Sequence, residues 1–428
     1  MEIAQLFAVF LMLMLAGVPV ATAMLLSSIL NVLLFGFPET IVAERMLNAI
    51  NSFTLLAVPF FILSGVIMNR GGLTTRMVEV SKAFVGHFRG GTAHVNVVAN
   101  MILAGVSGSA SADCAAIGSM LIPTMKREGY PPGFAVGLTA AASCIGPIIP
   151  PSIVMVIYGS MTNLSIGRLF LAGTIPGIII GLALMAVVAW KARVQNFPKH
   201  ERMSFSERGS VVVRGIPALL APAIIVGGII SGYYTATEAG VAACVYGLIV
   251  GVFIYRELGW KDLAPIMAEA VEMTAIPIFI LASASVFGWL LTVYGFGPLL
   301  VGWLKSLALG PVTMLLLIVV LLMIVGLFVD GLAALLIFVP VFMPLVPAFS
   351  LDHIHFALIV IVTILIGTIT PPVGLQLYIS AAIGKVSLSQ VTVWPFVFAM
   401  LAVVLLMVFV PSIVTFLPNL VFGSAPSP

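Results

Sequence analysis

Charged residues are scarce in this sequence. They make up 8% of its 428 residues, whereas hydrophobic residues make up 61%, and the mean hydropathy is +1.25. A soluble domain carries about 25% charged residues, so a soluble globular chain is excluded. We predict an all-α polytopic membrane protein, because backbone embedded in lipid must satisfy its hydrogen bonds internally. We expect a lipid bilayer around this chain and no nucleic acid among its partners.

Cysteine is also rare, with three residues in the whole chain. All three, Cys114, Cys144 and Cys244, lie in apolar surroundings and lack the spacing of metal ligands. The sequence therefore suggests neither a disulfide framework nor a zinc site.

A cleavable signal peptide is not visible at the start of the chain. Residues 1–15 lack a basic n-region and a small-residue cleavage site. The first apolar stretch, residues 3–35, is therefore expected to be retained as one tilted or kinked span, with an interruption near Gly17 and Pro19. No soluble domain of useful size is expected elsewhere.

Glycine and proline, by contrast, are abundant, with 40 and 27 residues, many of them inside apolar segments. One stretch, Gly105–Ser152, combines small polar residues, a carboxylate and helix-breaking residues: Ser107, Ser109, Ser111, Asp113, Gly146, Pro147, Pro150 and Pro151. Carboxylates and broken helices are costly in lipid unless they line a cavity or are buried in protein. The stretch is therefore the first candidate for a functional site.

The part of this stretch around Asp113 is predicted to form a re-entrant hairpin over residues 92–125. Each limb is about 12 to 15 residues or ~20 Å, which is short of the ~30 Å hydrocarbon core. Both ends of the hairpin also carry basic residues. Two complete spans would return the chain to the same side and remain an alternative.

The prediction divides the chain into two repeats with a middle region between them. The second repeat contains a hairpin over residues 312–346, with its tip at Val329-Asp330-Gly331, and a span over 356–383 that is broken at IGTITPPVG. The expected parts are 1–45 (N-terminal span and loop), 46–190 (repeat one, with the hairpin 92–125 and a broken span 133–162), 191–271 (cytoplasmic connector and central span pair), 272–418 (repeat two) and 419–428 (C-terminal tail).

Three landmarks recur in the same order in both repeats. PFFILS at Pro59 matches PIFILA at Pro277, Asp113 matches Asp330, and IGPIIPPS at residue 145 matches IGTITPPV at residue 366. The offsets are 218, 217 and 221 residues, which is nearly constant. The number of crossings between the copies places the second one upside down, and inverted repeats with broken helices are typical of secondary transporters.

The basic residues predict the orientation of the chain in the membrane. If residues 191–214 are cytoplasmic, only Arg45, Arg168 and Lys305 of the 18 Lys and Arg residues fall outside. This bias agrees with the positive-inside rule. It places the N-terminus in the cytoplasm and the C-terminus in the periplasm.

The residue types at the two breaks predict a site for a hard cation. Serine hydroxyls, the Asp113 carboxylate and carbonyls freed by proline can form an oxygen cage, for which sodium is the natural ion. The second repeat offers the same kinds of group in Asp330, Gly331, Gly367, Thr368 and Thr370. Neither hairpin tip contains Arg or Lys, so an anionic substrate would rely on helix ends, serines and bound cations, and a neutral polar substrate also fits.

Plainer interpretations of these residues stay open. Asp113 and Asp330 could cap the second limb of each hairpin. The serines could be small packing residues at helix crossings, and Pro150 with Pro151 could form a simple kink.

The motifs GVSGSASADCAAIGSMLIPTMKREGY, CIGPIIPPS and GTITPPVG resemble the large membrane subunit of tripartite ATP-independent periplasmic (TRAP) transporters. The resemblance covers essentially the whole chain. It implies a multi-pass protein of a bacterial or archaeal inner membrane that works with a small membrane (Q) subunit and a periplasmic substrate-binding (P) protein. It also implies import of an organic anion, such as a C4-dicarboxylate, sialic acid or another sugar acid, driven by an inward sodium gradient in an elevator-type fold.

The same resemblance assigns roles to individual residues. It implies two or more Na⁺ sites, the first at Ser107, Gly108, Ser109, Asp113 and Gly146, and the second at Asp330, Gly331, Gly367, Thr368 and Thr370. Substrate contacts between the hairpin tips would involve Ser107, Ser109, Ser111, Pro150, Val329 and Thr370. The second tip reads GLFVDG and lacks the serines, so it would contribute mostly backbone.

Two other functions were weighed. A stand-alone sodium/dicarboxylate symporter of similar fold would need no partner subunits. An intramembrane aspartyl protease needs two aspartates at lipid depth, but Asp330 lies in GLFVDG and not in a GxGD context. We therefore expect a transporter and not an enzyme, and the sequence does not identify which organic anion is carried.

Overall fold

The computed structural model describes residues 2–423 and is helical throughout this range, with a single β-bridge between Arg89 and Lys199 as its extended pairing. The first half contains α1 (Glu2–Leu15), α2 (Val20–Leu34), α3 (Thr40–Ile50), α4 (Ala57–Arg70), α5 (Leu73–Val85), α6 (Gly91–Ser107), α7 (Ala110–Arg127), α8 (Pro132–Ser143), α9 (Ile153–Thr162) and α10 (Ile166–Val194). The predicted all-α architecture is confirmed.

The second half continues with two long helices and a series of shorter ones. They are α11 (Phe205–Ile230), α12 (Ala236–Ile249), α13 (Leu263–Val293), α14 (Phe296–Ser306), α15 (Pro311–Gly326), α16 (Gly331–Phe342), α17 (Leu345–Ala348), α18 (His353–Gly367), α19 (Leu375–Gly384), α20 (Trp394–Phe409) and α21 (Ser412–Phe422). A short π-helical segment, Val250–Ile254, extends α12.

Short polar residues begin many of these helices. Ser109, Ser152 and Ser165 cap α7, α9 and α10, because each side chain accepts a hydrogen bond from a backbone N–H of the first turn. Ser204 and Thr235 form complete capping boxes at α11 and α12. These caps mark where each of these helices starts.

Five helices, or up to seven if each of two bent pairs counts as one span, are long and apolar enough to cross a membrane within residues 2–423. Shorter apolar helices, among them α9, α16, α18 and α19, form hairpin limbs and half-helices. The two limbs α6 and α7 have 17 and 18 residues, longer than expected from the sequence. The second limb is longer because α7 continues to the charged end at Arg127.

We divide the helices other than α14 into two groups, which contact each other mainly through α5 with α6 and α13 with α16. The flanking group consists of α1–α5 and α11–α13, in which α4 packs on α12, α5 on α11, and α2 and α3 on α13. The site group consists of α6–α10 and α15–α21, in which α7 and α8 pack together with α19, and α15 packs on α18. Both predicted hairpins and both predicted broken spans therefore lie in the site group.

The N-terminal segment differs from the single span expected over residues 3–35. It forms two helices, α1 and α2, that pack against each other. The Phe7 ring lies 5.7 Å from the Phe296 ring, and the Phe35 ring lies 6.0 Å from the Tyr294 ring. The first half of α1 and the end of α2 therefore both lie near the C-terminal end of α13. Gly17, at φ +84°, allows the chain to reverse, and Pro19 starts the returning helix.

The connector between the two halves packs on the base of the first hairpin. Gly90 N–H donates to Pro198 O at 2.9 Å, and the Arg89 guanidinium donates to Asn196 Oδ1 at 3.1 Å. The Phe197 ring lies 4.5 Å from the Tyr130 ring, between the hairpin and the next helix. Residues 195–200 are thus held against hairpin one, whereas α11, which follows them, belongs to the flanking group.

Candidate functional site

The tip of hairpin one touches the first helix break. The tip consists of Gly108, in the left-handed region at φ +59°, and the cap residue Ser109. A Cβ atom added to Gly108 would lie 2.6 Å from the Pro151 carbonyl oxygen, so only glycine permits this approach. The structure therefore brings together the two parts of the chain that sequence analysis had singled out.

Asp113 is fully buried in the first turn of α7. Ser107 Oγ donates to its Oδ1 atom, whereas Oδ2 has no hydrogen-bond partner. A Cβ atom on Gly146 would lie 2.2 Å from Oδ2, so the carboxylate is pressed against the first break. Ser109, not Asp113, caps α7. The capping interpretation therefore fails for Asp113, and a buried carboxylate oxygen is left in need of a partner.

The tip of hairpin two meets the second break in the corresponding way. Gly326 and Gly367 are in backbone contact, because a Cβ atom on either would lie 2.6 Å from the Cα atom of the other. Gly374 N–H donates to Leu327 O at 3.4 Å across the same junction. A Cβ atom on Gly331 would lie 3.2 Å from Thr368 Cγ2. Close glycine contacts therefore hold this second junction together.

Asp330 is only half-buried and has a different role from Asp113. Its Oδ2 atom accepts a hydrogen bond from Leu332 N–H at 3.0 Å and so caps α16. The capping interpretation is therefore correct for Asp330. The hydroxyls of Thr368 and Thr370 donate to Leu365 O at 2.7 Å and Ile366 O at 2.8 Å, which leaves their oxygen lone pairs as acceptors.

Two further contacts join the repeats to each other. Cys144 Sγ lies 3.4 Å from Leu365 O, so the two breaks are neighbours. Gln376 Nε2 donates to Ser111 Oγ at 3.2 Å, which links the start of α19 to hairpin one. Gln376 is not among the predicted site residues. Its signal was a polar residue two positions after Gly374, at the start of an apolar half-helix.

A cavity of about 710 Å³ lies between the site group and the flanking group. Eight of the predicted site residues line it: Ser107, Gly108, Ser109, Ser111, Asp113, Asp330, Gly331 and Thr368. The other five lie behind this surface, in the tips or breaks: Gly146, Pro150, Val329, Gly367 and Thr370. The cavity extends along α4 and α13 as far as Asn69 and Glu269.

The cavity is lined by the starts of four helices. The first residues of α7, α9, α16 and α19 all contribute to its wall. The free N–H groups of a helix start carry partial positive charge, and four of them around one space favour an anion. Among the charged residues, Asp113, Glu269 and Asp330 line the cavity, and the described lining contains no Lys, Arg or His.

Comparison with known proteins places this architecture in one family. Residues 7–413 match the family model described as "Tripartite ATP-independent periplasmic transporter, DctM component". The chain is 39% identical to the 2,3-diketo-L-gulonate TRAP transporter large permease protein YiaN of Escherichia coli, over 93% of this chain and 94% of that protein. It is 38% identical to the C4-dicarboxylate large permease DctM of Pseudomonas aeruginosa, over 92% and 93%. It is 36% identical to the sialic acid large permease SiaM of Vibrio cholerae, over 96% and 97%.

Solved structures share the fold at low sequence identity. The YdaH transporter of Alcanivorax borkumensis superposes with a TM-score of 0.60 at 15% identity, over 90% of this chain and 89% of that one. The relatives are transporter subunits and not enzymes, and the apolar helices fit their membrane location. This chain therefore belongs to the DctM component family of tripartite ATP-independent periplasmic transporters, as a multi-pass large permease subunit of the inner membrane.

Proposed function

We propose that this permease subunit imports an organic anion together with sodium. In this proposal a periplasmic binding protein delivers the anion, and a small membrane subunit completes the complex. The observation that carries the proposal is the convergence of two Asp-bearing hairpin tips and two proline breaks on one cavity. The relatives named above carry a C4-dicarboxylate, a sialic acid and a diketogulonate, all of which are carboxylates.

The first sodium site is proposed at Ser107, Gly108, Ser109, Asp113 and Gly146. It is supported by the buried Asp113 Oδ2 atom, which has no partner within the protein. A sodium ion beside this atom would satisfy it with a charge of opposite sign. The neighbouring serine oxygens and the carbonyls released at the break are the oxygen ligands that a hard cation prefers.

The second sodium site is proposed at Asp330, Gly331, Gly367, Thr368 and Thr370. Its support is weaker, because Asp330 already caps α16 and the threonine hydroxyls already donate to carbonyls of α18. Backbone oxygens would therefore supply more of this site than of the first one.

The substrate is proposed to lie between the hairpin tips. Ser107, Ser109 and Ser111 line the cavity there and can donate hydrogen bonds to a carboxylate. Pro150, Val329 and Thr370 do not reach this surface, so we narrow the proposed contacts to the serines and Thr368. Helix starts and bound sodium would supply the positive charge that the lining side chains lack.

The mechanism is proposed to be of the elevator type, with the site group sliding against the flanking group. The cavity lies between the two groups and reaches Glu269, whose partner Arg70 belongs to the set assigned to the cytoplasm. Under the charge-based orientation, we therefore propose that the structure corresponds to an inward-open state. Because α1 and α2 form a hairpin, the proposed position of the N-terminus moves from the cytoplasm to the periplasm, the side also proposed for the C-terminus.

Reconstitution tests both the sodium coupling and the partners. The chain is placed in proteoliposomes with and without its small subunit and binding protein, and uptake of labelled succinate and N-acetylneuraminate is followed with and without an inward sodium gradient. We expect uptake of one such acid only with all three proteins and sodium. Uptake by the chain alone would support a stand-alone symporter, and sodium-independent uptake would contradict the proposed coupling.

A further inference from the structure

The cavity poses an electrostatic problem for an anionic substrate. Three carboxylates line it, from Asp113, Asp330 and Glu269, and the described lining holds no basic side chain. The first two lie at the hairpin tips, where sodium is proposed to bind. Glu269 lies elsewhere, in the first turns of α13, and belongs to neither proposed sodium site. An anion that leaves past Glu269 needs a different source of positive charge.

Arg70 is positioned to supply that charge. Its Nε and Nη2 atoms donate to Glu269 Oε2 at 3.0 and 2.5 Å, which joins the last residue of α4 to α13. Asn69, the residue before Arg70, also lines the cavity. Both charged side chains are about 40% exposed, at 42% and 40%. An ion pair this exposed adds little to stability.

We propose that the Arg70–Glu269 pair forms a charge-neutral exit at the mouth of the cavity. Arg70 cancels the charge of the Glu269 carboxylate, so that a departing anion meets no net charge from this pair. The proposal rests on the proposed function in one respect, because it takes the substrate to be an anion. Loss of Arg70 would leave a free carboxylate at the exit, and loss of Glu269 would leave a free guanidinium.

The potential at the exit can be measured without knowing the substrate. Ser119 on α7 lines the cavity and is exposed, so Ser119→Cys provides a reporter thiol of nearly the same size. The three native cysteines are buried, and the protein without the reporter gives the background reaction. Inside-out vesicles with the full complex are treated with two methanethiosulfonates of equal length, one carrying a sulfonate and the other a trimethylammonium group.

The ratio of the two reaction rates reports the charge near the thiol, because effects on the thiol itself cancel. We expect Arg70→Gln to raise the cation-to-anion ratio about threefold or more, and Glu269→Gln to lower it by a similar factor. The double variant Arg70→Gln/Glu269→Gln should restore the original ratio. A merely structural role for the pair would not produce this restoration.

A neighbouring ion pair provides the matched control. Arg76 Nη1 and Glu257 Oε1 are 2.5 Å apart, and neither residue lines the cavity, whereas Glu269 of the proposed pair does. Arg76→Gln should therefore leave the ratio unchanged. An unchanged ratio in Arg70→Gln, or an equal change in Arg76→Gln, would overturn the proposal. Ala115→Cys serves as a second reporter. If neither Ser119→Cys nor Ala115→Cys reacts with the reagents, the exit is closed and the proposal is also overturned.

The same vesicles separate this proposal from the transport function. Sodium-dependent release of a carboxylic acid from the vesicle lumen tests the function, whereas the rate ratio tests the charge at the exit. If the complex proves to carry a neutral solute, the rate ratios would still respond as described, but Arg70→Gln would not slow efflux. If it carries an acid, efflux should fall severalfold in Arg70→Gln and recover in the double variant, and normal efflux in Arg70→Gln would contradict the proposed exit.

Discussion

The two hairpin tips occupy equivalent places in the two repeats but differ in their chemistry. At the first tip a fully buried Asp113 accepts from Ser107, leaves one oxygen unpaired and plays no part in capping. At the second tip a partly buried Asp330 caps its helix, and no hydroxyl residue lies between Gly326 and Gly331. The first half is therefore built around side-chain oxygens and the second mainly around backbone.

This difference shows what an internal repeat preserves. Both halves keep a glycine-mediated contact between a tip and a break, since a helical hairpin can approach unwound backbone only where side chains are small. The groups that could bind an ion differ between the two copies. We therefore expect the first site to dominate sodium affinity.

Substitution of Gly146 should have the largest effect. In Gly146→Ala the new methyl group would lie 2.2 Å from Asp113 Oδ2, so the carboxylate must leave its position. We expect loss of nearly all sodium-dependent uptake, measured in proteoliposomes. Gly227→Ala is the matched control, because nothing lies within 4 Å of the added methyl group. Normal uptake in Gly146→Ala would show that the contact between Asp113 and the break is not needed.

Removal of each carboxylate tests the comparison directly. We expect Asp113→Ala to raise the sodium concentration for half-maximal uptake by about tenfold or more, since a single charge-assisted contact is worth ~1.5–3 kcal/mol. Asp330→Ala should raise it by a smaller factor, because backbone oxygens remain. Both variants should still insert into the membrane. Equal effects would contradict the proposed difference, and wild-type sodium dependence in either variant would remove that residue from the site.

The capping role of Asp330 can be separated from its charge. Asp330→Asn keeps a side-chain oxygen that can accept from Leu332 N–H, whereas Asp330→Ala does not. We expect Asp330→Ala to lower the free energy of unfolding by about 1 kcal/mol relative to Asp330→Asn. Thermal unfolding of both purified variants gives this difference. Equal stabilities would mean that the cap contributes nothing at this helix start.

The smallest effects are expected at the hydroxyls. Ser107→Ala removes the donor to Asp113 and should weaken sodium affinity by about fivefold, the equivalent of ~1 kcal/mol for one hydrogen bond. Thr370→Ala removes a hydroxyl that donates within its own helix and should change affinity less. Sodium titrations of uptake compare the two. A larger loss in Thr370→Ala would reverse our ranking of the sites.

Much of the site group could be anticipated from the sequence, because its irregular features are made by residues with strong backbone preferences. Gly108 and the paired prolines interrupt the apolar helices at the first tip and at the two breaks. The α6–α7 hairpin runs from 91 to 127, close to the expected 92–125. The contact between each tip and its break followed from the cost of placing polar groups in lipid.

Other features depend on tertiary packing and could not be anticipated. The length of the apolar stretch 3–35 does not show whether Gly17 and Pro19 bend one span or turn the chain back into a second helix. The turn in this structure depends on how α1 and α2 pack against α13. Asp113 and Asp330 occupy equivalent positions in the sequence. Those positions do not show that Asp330 caps a helix and that Asp113 does not. Gln376 is one of several isolated polar residues, and only packing of α19 on α7 reveals its partner.

The connector on the base of hairpin one sets a limit on travel. His200 is held by Glu128, at 3.3 Å, within the site group, while Ser204 starts α11 in the flanking group. The four chain steps between these residues can extend to no more than about 14 Å. Any movement that would carry Ser204 farther than this from His200 must first release residues 195–200 from the hairpin, and a spin label on Asn196 would register that release.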